Sequence, residues 1–224
     1  MADPHPLPPT SIMAGKKSTP PSQTLTRRLR FLIGNLDNAS VDSSAKQVCG
    51  WINSFAHQDD RLRGLVQVTA ELVLEKATER PSEDSHRFLG RLCKILDAAT
   101  GGEYSKTLNV LWKEELQAVS AELLANDTAE AGSWPECVAL VSFAGELCRN
   151  ELLRIDALRS CVITLSGSRS NLGLGVACTL LEATGDAICR DREGKNCFNA
   201  AIKAMLSASR GSGVPAYMRS RVQV

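Results

Sequence analysis

Residues 59–96, DDRLRGLVQVTAELVLEKATERPSEDSHRFLGRLCKIL, contain the pattern that decides the fold. Polar residues recur at every fourth position in its first half: Arg63, Gln67, Glu71, Glu75 and Glu79. Residues four apart lie on the same face of an α-helix, so this spacing predicts one narrow polar stripe. The rest of the helix is apolar over most of its circumference. Neighbouring elements must therefore cover it on more than one side.

The second half of the stretch predicts another helix after a very short turn. Pro81 ends the first helix because proline donates no amide hydrogen and clashes with the preceding turn. Ser82 can cap the next helix, in which apolar residues recur at helical spacing until Gly101 and Gly102 end it. The two helices form an antiparallel hairpin with too much apolar surface to stand alone.

The same periodicity predicts ten helices and no strand of useful length. They cover residues 24–35, 42–55, 60–80, 82–97, 103–124, a segment from 133, 154–165, 171–189, a segment after the turn at 191–194, and 214–223. Taken in consecutive pairs, they make five units of about 40 residues, which is typical of helical repeats. We therefore expect an all-α, HEAT-like helical solenoid of about five antiparallel helix pairs. A single helical bundle is the alternative; helices that are apolar on two sides favour the solenoid.

Composition divides the 224 residues into a tail and one domain. Residues 1–23 are rich in Pro, Ser, Thr and Lys and are predicted to be disordered, whereas 24–224 form the helical-repeat domain. The eight cysteines mostly fall on apolar faces, which indicates buried, reduced thiols and a reducing compartment such as the cytoplasm. No apolar run reaches the ~18 residues of a membrane span, so no membrane partner is expected.

Basic residues are concentrated at the two ends of the chain. Residues 1–30 hold five Lys or Arg and one Asp, and residues 194–224 hold five Lys or Arg and no acid. Such ends can bind a polyanion, although loose, solubilising termini have the same composition. If the partner is RNA, each cation that meets a phosphate adds to a salt-dependent affinity. The candidate RNA-binding residues are Lys16, Lys17, Arg27, Arg28 and Arg30.

No arrangement of residues in the sequence indicates catalysis. No C-x-x-C pair is present, and three histidines are too few and too scattered for a zinc site. His57 and His86 are isolated, and we interpret each as a surface or capping residue. The chain is therefore expected not to be an enzyme and to need no cofactor.

Several short strings resemble the middle domain of eukaryotic translation initiation factor 4G. In that family a hydrophobic helix ends in E-K-A and the next carries R-L-C-[KR]; a later helix contains F-[IA]-G-E-L-[FC]. Trp51 stands where a tryptophan is frequent in the family. The strings in this chain are LIGNL at 32–36, EKA at 75–77, RLCKIL at 91–96, FAGELC at 143–148 and TGD at 184–186. The resemblance covers residues 24–224.

The resemblance implies a HEAT-type adaptor without catalytic activity. Members of the family bind a DEAD-box RNA helicase of the factor 4A type, together with RNA and other initiation factors, in the cytoplasm. Carried over by position, one helicase contact uses Leu36 and Val41, and a second uses Tyr217, Arg219 and Arg221. The chain departs from the family at Val41, where phenylalanine is usual, and at Tyr217, where arginine is usual.

Two alternatives remain open at this point. The chain can belong to another branch of mRNA metabolism that uses the same domain, such as nonsense-mediated decay or nuclear cap binding. It can also be a structural solenoid that has lost helicase binding through the departures at Val41 and Tyr217.

Overall fold

The computed structural model describes residues 20–79, 81–125, 133–166 and 171–209. Within these ranges the chain is helical and contains no strand, which confirms the all-α class. The predicted tenth helix at 214–223 and residues 1–19 of the predicted tail lie outside the described residues. The helices are α1 (Gln23–Gly34), α2 (Val41–Ser54), α3 (Asp59–Glu79), α4 (Glu83–Ala99), α5 (Glu103–Ala125), α6 (Ser133–Arg149), α7 (Ile155–Ser166), α8 (Asn171–Ile188) and α9 (Arg192–Ser209).

Local capping explains where several helices begin and end. The Ser22 hydroxyl accepts a hydrogen bond from the Leu25 amide at 3.3 Å and starts α1. Ser82 caps α4 in the same way through the Ser85 amide at 3.1 Å, as predicted. Gly101 and Gly102 follow α4 with φ values of 59° and 90°, a conformation that glycine adopts without strain, so the predicted stop is confirmed.

The helices pack in two layers, and consecutive helices along the chain belong alternately to one layer and the other. Each odd-numbered helix contacts the next odd-numbered helix, from α1 to α9, and each even-numbered helix contacts the next even-numbered one, from α2 to α8. Contacts between α1 and α2, α3 and α4, α5 and α6, and α7 and α8 join the layers. The hydrophobic core lies between the layers and runs through all nine described helices.

Helix α3 shows the predicted division between one polar stripe and an otherwise covered surface. The side chains at 63, 67, 71, 75 and 79 are all exposed, and the apolar residues Leu65, Val66, Leu72, Val73 and Leu74 are buried. The helix contacts α1 and α5 in its own layer and α2, α4 and α6 in the other. These five neighbours cover most of the surface of α3 outside the stripe.

Helix α6 is buried over nearly its whole second half and holds two of the core cysteines. Gly145 lets α8 approach closely, because a Cβ at this position would lie 2.8 Å from the carbonyl oxygen of Ala183. Burial raises the pKa of the Cys137 thiol to about 12 and that of Cys148 to about 11. These thiols therefore stay protonated and behave as small apolar side chains.

His86 is a buried residue, so its interpretation as a surface residue was wrong, whereas its contact with a carbonyl in the last turn of α3 is that of a capping residue. It lies on the same helical face as Leu89 and Cys93, three and seven residues later, and that face points into the core. Its Nε2 atom lies 3.0 Å from the carbonyl oxygen of Ala77, and its ring packs 5.4 Å from the Phe143 ring. The sequence pattern underestimated burial because a polar residue interrupts an otherwise apolar stripe.

The buried imidazole predicts a loss of stability in mild acid. Burial lowers the pKa of His86, and this effect outweighs the opposing effects of the Ala77 carbonyl and the Glu146 carboxylate. The neutral ring therefore contributes its full stability above its unfolded pKa of about 6.5, and the contribution is lost as the pH falls below that value. We expect His86→Gln, which can still donate to Ala77, to unfold with a flatter dependence on pH between about 7 and 5.

Urea unfolding at several pH values measures this slope. His57→Gln is the matched control because His57 is exposed in the turn after α2, and it should leave the slope unchanged. Equal slopes for the wild type and His86→Gln would contradict the assignment.

Candidate functional site

The described part of the basic N-terminal end is the outer face of α1. Leu29 and Ile33 turn the inner face of this helix into the core. Arg27, Arg28 and Arg30 are therefore exposed, as their candidate role in RNA binding requires. Lys16 and Lys17, the other two candidates, lie outside the described residues.

The three arginines differ in their surroundings. The Arg30 guanidinium lies 3.2 Å from the Glu75 carboxylate of α3, so its charge is already partly balanced by an acid of the same chain. In the part of the chain that the structure describes, neither Arg27 nor Arg28 forms an ion pair. Arg27 and Arg28 are therefore the two cations of α1 that remain available to an anionic partner.

A groove of about 580 Å³ lies between α1 and α2 beside these two arginines. Phe31 on α1 and Trp51 on α2 contribute aromatic surface, and Phe31 is 69% exposed. The sequence pattern placed Trp51 on the inward face of α2, and its half-buried side chain does pack against the core. The pattern gave Phe31 no role, although Phe31 follows Arg27 by four residues and so shares its face. The groove is lined by Thr24, Arg27, Arg28, Phe31, Leu32, Gln47 and Trp51, with no acidic residue among them.

The loop between α1 and α2, the first predicted helicase contact, is held by reciprocal hydrogen bonds. The Asp37 amide donates to the Ser40 hydroxyl at 2.9 Å, and the Ser40 amide donates to the Asp37 carboxylate at 2.7 Å. The bonds from Ser40 lower the pKa of Asp37, because they stabilise its ionised form. The loop is thus a defined turn between the two walls of the groove.

The structure places the predicted helicase-binding residues in different environments. Leu36 is half-buried at the start of the loop, whereas Val41 is 0% exposed and belongs to the core. The Val41 side chain has no surface to offer a partner, so a contact here has to use its neighbours. Tyr217, Arg219 and Arg221, the second predicted contact, lie outside the described residues.

An acidic groove on the neighbouring helices limits where a polyanion can lie. Its volume is about 280 Å³, and it contains Glu71 and Glu75 of α3, Glu114 and Glu115 of α5, and Glu136 of α6. Like charges repel, so phosphates are disfavoured over α3 and α5. The acidic groove thus disfavours nucleic acid over α3 and α5, whereas the groove between α1 and α2 has no acidic lining residue.

The described helices offer neither a metal site nor a membrane span. No group of three or more His, Cys, Asp or Glu side chains among the described residues could hold a metal ion. None of the described helices is both long enough and apolar enough to cross a membrane. The groove between α1 and α2 combines positive charge, two aromatic side chains and a volume of about 580 Å³.

No protein-family model matches the chain, and no curated protein matches it either. The five strings quoted above all lie within, or at the end of, described helices: α1, α3, α4, α6 and α8. The resemblance to factor 4G therefore rests on these residues and their order.

Proposed function

We propose that this protein is a non-enzymatic adaptor that binds RNA and a DEAD-box helicase of the factor 4A type in translation initiation. Its scaffold would be a HEAT-like solenoid of antiparallel helix pairs. The alternation of odd and even helices in two layers supports that arrangement, because stacked pairs make such contacts. The five family-like strings support the functional class.

The observation that carries the RNA part of the proposal is the pair Arg27 and Arg28. Both are exposed, neighbouring in the groove and free of ion pairs among the described residues. Cations in this state can release counterions from a phosphate backbone, which provides most sequence-independent affinity for nucleic acid. The acidic groove over α3 and α5 disfavours phosphates on the side of α1 that faces α3.

Reversing the two charges is expected to weaken RNA binding about tenfold in moderate salt. The double variant Arg27→Glu/Arg28→Glu should also reduce the slope of log affinity against log salt by about 0.7 for each phosphate of a single strand that the protein no longer neutralises. Fluorescence anisotropy with a labelled oligouridylate measures both quantities. The matched control is Lys94→Glu/Arg190→Glu, which makes the same charge change at exposed positions on α4 and after α8, outside both basic ends. Equal losses of affinity in the two double variants would reject a specific role for α1.

The helicase part is tested by co-purification of the full chain with a factor 4A type helicase. The experiment is done with and without RNA and a nucleotide analogue, because DEAD-box helicases change conformation with both. Association in any of these conditions supports the proposal, and absence of association in all of them rejects this part. Recovery of decay or nuclear cap-binding factors instead would indicate that the protein acts in another branch of mRNA metabolism.

One observation favours the alternative of a solenoid without helicase contact. Val41 replaces the usual phenylalanine of the family and is fully buried, so the first contact has no exposed aromatic ring at this position. In that case RNA would still bind through Arg27 and Arg28, while the helicase would not. The two assays above therefore separate the alternatives.

A further inference from the structure

We propose that the groove between α1 and α2 binds an unpaired base of single-stranded RNA by stacking it on Phe31 and Trp51. This inference rests on the RNA binding proposed above and specifies its form. Arg27 and Arg28, both on the N-terminal side of Phe31, would contact phosphates next to that base.

The first argument is the exposure of Phe31. Three large hydrophobic side chains are exposed in the described part of the chain, Phe31, Val110 and Ile163, and Phe31 is the aromatic one among them. A phenylalanine that leaves 69% of its surface in water forgoes most of the stabilisation available from burial. The exposed ring and the two unpaired cations together offer a flat apolar surface and positive charge, the two features on which proteins bind single strands.

The second argument is the relative placement of the groove residues. Arg27 and Arg28 are each three or four residues from both Thr24 and Phe31, so the four residues share one broad face of α1. Gln47 and Trp51 have the same spacing on α2 and form the opposite wall. An aromatic ring thus lies on each side of the groove. Both arginines precede Phe31 in the sequence and lie nearer the start of α1.

The third argument is chemical complementarity. The groove has two cations, no carboxylate and two aromatic rings, so its complement is an anion that carries a flat apolar surface. A nucleotide has both parts, and the Gln47 amide offers a donor and an acceptor to the edge of a base. In a duplex the bases are already stacked and paired, so the single strand is the form that fits. A groove of about 580 Å³ is within the usual range of small-ligand sites, roughly 300–1,000 Å³.

The decisive variant is Phe31→Ala in the full chain. It should weaken binding of an oligouridylate of about 12 nucleotides roughly tenfold, because base–aromatic stacking is sensitive to removal of the ring. The salt slope should stay at the wild-type value, since no phosphate contact is removed. Phe31→Tyr should bind like the wild type, and Ile163→Ala, which shortens an exposed side chain on α7, should have no effect.

Three ligands separate stacking from charge attraction in the wild-type protein. We expect the oligouridylate to bind more tightly than both a duplex of the same length and an abasic strand with the same phosphates. Equal affinity for the oligouridylate and the abasic strand would overturn the stacking inference. If the Arg27→Glu/Arg28→Glu variant loses binding while Phe31→Ala does not, RNA binding stands and the stacking inference falls.

Two further results would reject the stacking inference. If the oligouridylate does not bind the wild type at all, the RNA part of the proposed function fails and the inference fails with it. If an acidic peptide with an aromatic residue displaces the oligouridylate from the wild type and binds it more tightly, the groove is a peptide site and the inference is overturned.

Discussion

Replacing Trp112 with alanine is expected to lower the free energy of unfolding by about 3–5 kcal/mol. Trp112 lies on α5, is 0% exposed and is among the largest fully buried side chains of the described core. Its removal eliminates both the burial of a large ring and the contacts of the atoms around it, which close only partly over the cavity. The indole Nε1 also donates a hydrogen bond to the Leu140 carbonyl of α6 at 3.1 Å, so the residue joins the two layers.

Urea unfolding followed by circular dichroism measures the change in stability, and Trp112→Phe divides it into two parts. Phenylalanine keeps most of the apolar ring but cannot donate to Leu140, so we expect a loss of only about 1–2 kcal/mol. A loss below about 1 kcal/mol for Trp112→Ala would contradict the position of α5 in the core. Similar losses for both variants would mean that the hydrogen bond matters more than the packing.

Features that depend on residues close in sequence were predictable. The exposed stripe on α3 follows from a four-residue repeat, and the Ser82 cap and the glycines after α4 follow from the conformational preferences of single residues. The nine described helices accordingly begin and end close to the predicted positions. The burial of His86 was not predicted, because its side chain is polar although its position on the helix faces the core.

The sequence pattern did not predict which helices from distant parts of the chain pack against each other. Periodicity shows that α6 is apolar on several faces, but not that α3, α5 and α8 are among the helices that cover it. The approach of Gly145 to Ala183 joins residues from different helix pairs and depends on the length of the segments between them. Such information is distributed over the whole chain, so no local pattern contains it.

The candidate site was predictable only in part for the same reason. The basic residues of α1 could be selected by charge, but the pairing of Arg30 with Glu75 depends on the packing of α1 against α3. Phe31 lies off the buried stripe of α1, and Trp51 was counted as an inward residue of α2. Only the approach of the two helices shows that their rings line one groove.

Replacing Gly194 with alanine is expected to lower the free energy of unfolding by about 2 kcal/mol. Gly194 is buried in the first turn of α9, and a Cβ built there would overlap the carbonyl oxygen of Ile188 at the end of α8. Alanine favours a helix over glycine by up to about 1 kcal/mol, but overpacking costs about 1–3 kcal/mol. The upper end applies because a backbone carbonyl cannot rotate away as a side chain can, so the clash outweighs the helical preference.

The position of Asp191 makes the same clash affect a third helix. Its carboxylate accepts a hydrogen bond from the Gly194 amide at 2.7 Å and lies 2.6 Å from the Arg159 guanidinium of α7. A shift of α9 away from Ile188 would therefore disturb the contact between α7 and α9 as well. We expect faster amide hydrogen exchange around 188–195 in the variant than in the wild type.

Gly50→Ala provides a control with the opposite sign. Gly50 is exposed on α2, and a Cβ there would have no atom within 4 Å, so alanine should stabilise the protein by about 0.5–1 kcal/mol. Chemical denaturation of both variants thus compares one substitution in two environments. If Gly194→Ala is neutral or stabilising, α9 does not approach the end of α8 as closely as the structure shows, and the α7–α9 contact does not depend on a glycine at this turn.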